Sequence, residues 1–181
     1  MKILVTGGSG FVGTRLVHRL KKTGHEYSIV DKNNSHYFSE NTLVQDICDL
    51  KGLQTNCSGA DTIVHLAAEH RDDVRPKSLY DDVNVEGTHN VCMLAEAKGI
   101  NRIIFTSSVA VYGFAELNTD ESGRISPFND YGRTKYEAEE VLRQWLNKDP
   151  LNRSLVIVRP TVIFGEQNRG NVYNLLNLIS S

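Results

Sequence analysis

The sequence predicts an α/β protein with a doubly wound parallel sheet and helices on both faces. Three observations lead there. Short β-branched, apolar runs recur at residues 2–6, 27–30, 62–66, 103–106 and 155–158. These runs are continuous rather than alternating, as in strands covered on both faces. Stretches of helical spacing fill the gaps, and strands alternating with helices make a parallel sheet. A chain of 181 residues has room for one such domain and little more.

Taken in order, the run at 2–6 ends in glycines. The apolar stripe Phe11, Leu16, Val17 and Leu20 follows, and Gly24 stops it as a C-terminal glycine does. After the strand at 27–30 comes a weaker extended piece at 42–45. Helices are expected at 83–98, closed by Gly99, and at 131–147, closed by Pro150. Residues 118–130, with Gly123 and Pro127, read as the longest loop. Val172, Leu175, Leu176 and Ile179 have the spacing of an amphipathic helix, and the chain stops two residues later. Each such side chain gains about 1.5–3 kcal/mol on full burial. A stripe with nothing to cover it therefore suggests a shortened chain.

Composition excludes several functions. Lys and Arg number 20 against 22 Asp and Glu, a net charge of −2. Binding nucleic acid by counterion release needs a basic excess, so a polyanion partner is not expected. At 40 % hydrophobic and 23 % charged, the chain has a globular composition. No apolar run approaches the roughly 18 residues of a membrane span. Cys48, Cys57 and Cys92 lack metal-type spacing and the histidines form no HExxH pair, so neither a disulfide framework nor a metal site is expected. Unpaired cysteines point to the cytoplasm.

The turn from Thr6 to Gly13 carries the first chemistry. Gly8, Gly10 and Gly13 satisfy GxGxxG, and Gly7, Gly10 and Gly13 satisfy GxxGxxG, between an expected strand and an expected helix. Glycine lets the backbone turn tightly and a phosphate approach, and the helix N-terminus offers N–H groups to it. Asp31 follows at the end of the second strand, where a carboxylate accepts hydrogen bonds from an adenosine ribose. Such a carboxylate favours NAD over NADP, although Lys32 stands beside it. A P-loop is excluded, because Thr14 and Arg15 stand where Lys-Ser/Thr is required.

Tyr131 and Lys135 lie four residues apart at a helix start, and Ala138, Leu142 and Trp145 continue their face inward. A lysine on an apolar stripe is costly without a partner or a task. The task expected here is to acidify Tyr131. Lowering a phenol by about three pH units takes roughly 4 kcal/mol, which one cation about 4 Å away supplies at an effective dielectric near 20. Ser107 and Ser108 follow the strand at 103–106, at the edge where open α/β sheets bind ligands. Ser108 is the candidate to hold a substrate oxygen there. A serine-hydrolase reading fails, because Gly-x-Ser-x-Gly is absent.

With these residues in place the chain resembles the extended short-chain dehydrogenase/reductase family, in its NAD-dependent sugar epimerase/dehydratase group. The resemblance rests on the turn at 6–13, Asp31, Asp46-Ile47, His65-Leu66-Ala67-Ala68, Asn84, Ser107-Ser108, the Tyr131–Lys135 segment and Arg159-Pro160, in family order over nearly the whole chain. It implies a Rossmann-like fold and NAD as cofactor. It implies that Gly7, Gly10, Phe11, Val12 and Gly13 hold the pyrophosphate, that Asp31 holds the ribose and that Asp46 and Ile47 border the adenine. Leu66, Ala67 and Ala68 would line the path to the nicotinamide ribose, which Lys135 would bind. Tyr131 would be the acid/base, assisted by Ser108.

The implied reaction is epimerisation of a nucleotide-sugar, a UDP-sugar at C4, through transient oxidation. A nucleotide-sugar 4-ketoreductase or a non-catalytic dinucleotide-binding module are the alternatives. Val109 and Ala110 stand where dehydratases of the group carry a carboxylate, so elimination lacks its base. Val162 stands where UDP-galactose epimerases tend to carry Asn, which leaves the ketoreductase open. Family members run to about twice this length in two domains. Residues 1–165 are therefore expected to form the NAD-binding domain with its catalytic Ser, Tyr and Lys. Residues 166–181 would begin a substrate domain that is largely missing. A homodimer through the helices at 83–98 and 131–147 is implied as well.

Overall fold

β1 (Lys2–Thr6) lies at the centre of the sheet, between β2 (Glu26–Asp31) and β4 (Thr62–His65). β3 (Thr42–Val44) extends the β2 side; β5 (Arg102–Thr106) and β6 (Ser154–Val158) extend the other. The order is β3-β2-β1-β4-β5-β6 and every pairing is parallel. The computed structural model describes residues 1–71, 73–168 and 171–180. The winding reverses between β1 and β4, and the crevice above such a switch point is where open sheets of this kind bind ligands.

Helices cover the two faces as the continuous strands require. α1 (Phe11–Lys22) buries Val17 and Leu20 on one face, among Ile3, Val5, Ile29 and Val64. α3 (Gly87–Lys98) and α4 (Asp130–Asn147) cover the other, where Leu94, Leu142 and Trp145 join Ile63, Ile103 and Phe105. Gly99 ends α3 in the left-handed region, at φ +66°.

Two elements differ from expectation. α2 (Leu50–Asn56) was not foreseen, because seven residues that bury only Leu53 show no apolar periodicity. Its signal is the cap, where the Asp49 carboxylate accepts from Gly52 N. The helix expected from residue 83 opens instead as a π-helical turn, Asp81–Glu86, before α3 begins. Turns of this width are frequent at functional sites, and this one carries the buried Asn84.

Coverage is uneven across the sheet. β4 is buried throughout, whereas β6 alternates and leaves Val156 and Val158 about half exposed. α5 (Asn171–Ser180) occupies the segment whose spacing predicted a helix. Its Leu175, Leu176 and Ile179 are exposed. Among the described residues there is no group of side chains that could hold a metal ion, and no helix is long and apolar enough to cross a membrane. The three cysteines are free.

Candidate active site

The turn after β1 is shaped by close approaches of main chain to main chain. Gly7 adopts φ +71°, and a Cβ there would stand 2.5 Å from the amide nitrogen of Ala67. A Cβ on Gly13 would stand 2.5 Å from the Gly7 carbonyl oxygen. Neither obstacle can move, so both positions need glycine. Gly10 is different: its added Cβ would meet only the Gly7 oxygen, at 3.4 Å. Gly10 is also the N-cap of α1, and no side chain caps the helix there. The first-turn N–H groups thus face the cleft with room for an anion, the arrangement a pyrophosphate requires. Asp31 locks this turn to β2, because its carboxylate accepts from Ser9 N at 3.0 Å and Asn33 N at 2.9 Å. A carboxylate has lone pairs to spare beyond these two bonds.

On the other side of the switch point, α4 begins at Asn129, whose side chain accepts from Gly132 N at 2.8 Å. A Cβ on Gly132 would lie 2.4 Å from the Ala110 carbonyl oxygen, so glycine lets the first turn of α4 abut the segment after β5. That contact brings Tyr131 to Ser108. Burial raises the Tyr131 pKa above the ordinary phenol value, and the Ser108 hydroxyl works against it. Lys135 is buried, with Nζ 4.1 Å from the centroid of the Phe105 ring. Burial lowers its pKa to about 7, opposed by the charge of Glu139. Burial outweighs the Ser108 hydroxyl here, so the phenol stands above its ordinary value where the sequence led to the expectation of a lowered one.

Three side chains hold the frame beneath. Asn84 accepts from Glu69 N at 2.8 Å and donates to Glu69 O and to Thr134 Oγ1, both at 3.0 Å. It thereby ties the segment after β4 to α4. His65 is fully buried between Thr6 Oγ1 at 2.6 Å and Thr88 Oγ1 at 3.0 Å. The Thr88 hydroxyl donates to Asn84 O. His65 Nε2 is therefore the donor to Thr88, and Nδ1 accepts from Thr6. Burial, with help from the Lys135 charge, depresses the imidazole to about 3 and keeps it neutral. Glu139 is fully buried and is bridged by Arg159 and Ser107.

All the residues expected to act lie along one cleft of about 1000 Å³. Gly7, Gly10, Phe11, Val12, Gly13, Asp31, Asp46 and Ile47 line one end, and Ser108, Tyr131 and Lys135 the other; Leu66, Ala67 and Ala68 lie between them. The cleft also takes in Lys32, Pro160 and Val162, and with them His70, Arg71, Thr161 and Ile163, which sequence reasoning did not select. Arg15 was missed as well. Its guanidinium stacks 3.6 Å from the Phe11 ring centroid and donates to the Glu166 carbonyl, fastening the segment after β6 to α1. Asn84, His65 and Arg159 were noticed only as resemblances, and Glu139 not at all. Its signal was available, a charged residue on the inward stripe of α4, one turn past Lys135.

The model of the NAD dependent epimerase/dehydratase family matches residues 3–180. The chain belongs to that family. It is 56 % identical over 180 residues to the N-acetyl-α-D-glucosaminyl-diphospho-ditrans,octacis-undecaprenol 4-epimerase of Escherichia coli O157:H7, covering 98 % of this chain and 54 % of the relative. It is 33 % identical over 190 residues to the UDP-glucose 4-epimerase of Vibrio cholerae, covering 98 % and 56 %. Among solved structures, the UDP-Glc/GlcNAc 4-epimerase of Campylobacter jejuni superposes with a TM-score of 0.80 at 28 % identity, over 87 % of this chain and 52 % of that one. The chain therefore spans about half the length of the curated relatives it matches. Membership in this NAD-dependent family agrees with the cradle described above: a turn open only at Gly10, an uncapped helix end, and a carboxylate at Asp31.

Proposed function

We propose that this chain is the NAD-binding and catalytic part of a 4-epimerase acting on a sugar carried on a diphosphate. The observation that carries the reading is Tyr131 held beside Ser108, with Lys135 one helical turn further on, in the same cleft as the glycine cradle. Residues 1–165 are the cofactor domain in this reading, and residues 166–181 lead into the substrate domain.

The roles follow from position. Gly7, Gly10, Phe11, Val12 and Gly13 hold the pyrophosphate, Asp31 the adenosine ribose, and Asp46 and Ile47 the edge of the adenine. Lys135 binds the nicotinamide ribose, reached along residues 66–68. Bound NAD supplies the acceptor, and afterwards the donor, of the hydrogen and electron pair removed from C4. Ser108 donates a hydrogen bond to the C4 oxygen, and Tyr131, as the phenolate that the nearby positive charges of Lys135 and oxidised NAD would favour, takes the proton of the C4 hydroxyl. After the keto-sugar has turned over, Tyr131 returns that proton to the oxygen. Elimination is disfavoured, because Val109 and Ala110 offer no carboxylate to remove a C5 proton.

The carrier is the finer question. The relative at 56 % identity acts, by its name, on a sugar diphospho-undecaprenol, and we assign the same carrier class here. A UDP-sugar is the second reading, supported by the Vibrio cholerae relative and the Campylobacter jejuni structure. A cytoplasmic location and a homodimer through α3 and α4 complete the proposal. Sedimentation of the full-length protein tests the dimer.

The deciding experiment assays the full-length protein and Tyr131→Phe on undecaprenyl-diphosphate-linked and UDP-linked N-acetylglucosamine. Removing the phenol is expected to lower kcat by about 10²- to 10⁴-fold, the usual worth of general acid/base catalysis. Undiminished turnover would overturn the assigned acid/base. Conversion of the UDP-linked sugar alone would overturn the carrier and leave the epimerase standing.

A further inference from the structure

A carboxylate is among the costliest groups to bury, yet Glu139 is fully buried in the middle of α4. It is held from three directions. Ser107 Oγ at the end of β5 donates to Oε1 at 2.5 Å. Arg159 at the end of β6 donates from Nε to Oε1 at 2.8 Å and from Nη2 to Oε2 at 2.5 Å. Arg143 reaches Oε2 at 3.5 Å. Stability alone explains this poorly, because a buried ion pair is often no more stabilising than apolar side chains of the same volume.

Its location offers another reason. Glu139 lies one helical turn beyond Lys135 on the buried stripe of α4. The groups that act on the Lys135 ammonium come from three elements. Glu139 belongs to α4, His65 to β4 and the Phe105 ring to β5, while Arg159, just past β6, acts through Glu139. His65 is neutral, and an aromatic face carries only a quadrupole. Glu139 is thus the one anion in the set, and Arg159 and Ser107 keep it ionised. We propose that Glu139 is a positioning residue of the catalytic centre, whose buried negative charge, clamped by Arg159, keeps Lys135 protonated inside the cleft. The inference rests on the reading of Lys135 as the ribose-binding cation, but its electrostatic content is testable without cofactor or substrate.

The test follows the 13Cε resonance of Lys135 against pH in the cofactor-free chain. Glu139→Gln removes the anion and leaves Arg159 without its carboxylate, so the Lys135 midpoint is expected to fall by about one pH unit or more. Glu139→Leu paired with Arg159→Leu replaces the ion pair by apolar side chains, a change buried pairs often tolerate, and keeps the variant informative where the single one does not fold. Its midpoint is expected between those of the parent and Glu139→Gln. In the full-length enzyme the alkaline limb of the pH–rate profile is expected to move down with the midpoint, with KM little changed. A Lys135 midpoint unchanged or raised in either folded variant would overturn the proposal. A shifted midpoint with turnover at pH 7 equal to the parent's would leave the electrostatics standing and overturn the role given to Lys135.

Discussion

The two ends of the cleft are built on different principles. At the end proposed for the adenosine, the parts between Gly7 and Asp31 act through main chain: two glycines where no Cβ fits, an uncapped helix end, and one carboxylate receiving two backbone N–H groups. At the Tyr131 end the parts are mostly side chains from distant segments. Thr6, His65, Asn84, Thr88, Ser107 and Arg159, with Thr134 and Glu139 of α4 itself, support a phenol and an ammonium on that helix. The contrast gives a rule. The first end fails when atoms are added, and the second fails when atoms are removed or protons change.

The largest effect is expected from adding one carbon at the first end. In Gly13→Ala the new Cβ stands 2.5 Å from the Gly7 oxygen and 2.5 Å from Gly8 Cα, both backbone. Overpacking of this kind costs about 1–3 kcal/mol or more, and relief can come only by opening the turn proposed to receive the pyrophosphate. We expect a clear loss of stability in urea and a fall in NAD affinity of about 100-fold, the equivalent of roughly 2.7 kcal/mol. Titration calorimetry checks it, and wild-type affinity in a folded Gly13→Ala would break the distinction between the two ends.

Removing atoms at the second end ranks next. Asn84→Ala strands the buried N–H and carbonyl of Glu69, while the Thr134 hydroxyl keeps its bond to Asp130 O. Each unsatisfied buried group costs about 1–3 kcal/mol, so a loss of about 3 kcal/mol is expected from urea unfolding. NAD affinity should drop less than in Gly13→Ala, because residues 66–68 only line the cleft. A variant within about 0.5 kcal/mol of the parent would show that the π-helical turn needs no such clamp.

The same contrast explains what could be read without a structure. The adenosine end was legible because glycine spacing is a statement about backbone, and backbone geometry is local. The strands were legible because continuous apolar runs encode burial on both faces. At the other end Tyr131 and Lys135 could be selected from an i, i+4 pair on an inward stripe, but their balance of charge could not. Whether Lys135 acidifies Tyr131 depends on Glu139, Arg159 and His65, which reach the site from three separate elements. α2 escaped notice for a related reason, since one buried leucine carries no period.

Proton changes at the second end give a third, graded test. The His65 imidazole is held at about 3 in the fold against 6.5 when free, so between those values the unfolded chain binds the extra proton. Its contribution to stability is complete above pH 6.5 and is lost as the pH falls towards 3. Lys135, at about 7 against 10.5, works in the same sense higher up, and stability from this group rises as the pH climbs from 7 to 10.5. One proton of difference gives a slope of at most about 1.4 kcal/mol per pH unit. Urea unfolding from pH 4 to 9 should show both rises, and His65→Gln should flatten the acid one alone. An acid limb of equal steepness in that variant would place the titrating group elsewhere.

The smallest effect is expected at Asp31, because its site is shared between fold and cofactor. Asp31→Asn keeps one carbonyl oxygen to accept from Ser9 N or Asn33 N but loses the second acceptor. One hydrogen bond to a charged group contributes about 1.5 kcal/mol, and relaxation of an exposed turn reduces that to about 1 kcal/mol in urea. The neutral amide still accepts from a ribose hydroxyl, so NAD affinity should fall by only about tenfold. The informative quantity is the ratio between NAD and NADP. The carboxylate opposes a 2′-phosphate by charge, whereas Lys32 beside it does not, so removing the charge should raise NADP affinity relative to NAD. A ratio unmoved by Asp31→Asn would mean that main-chain shape alone, the same agent that makes Gly13 intolerant of a methyl group, discriminates the two dinucleotides at this end of the cleft.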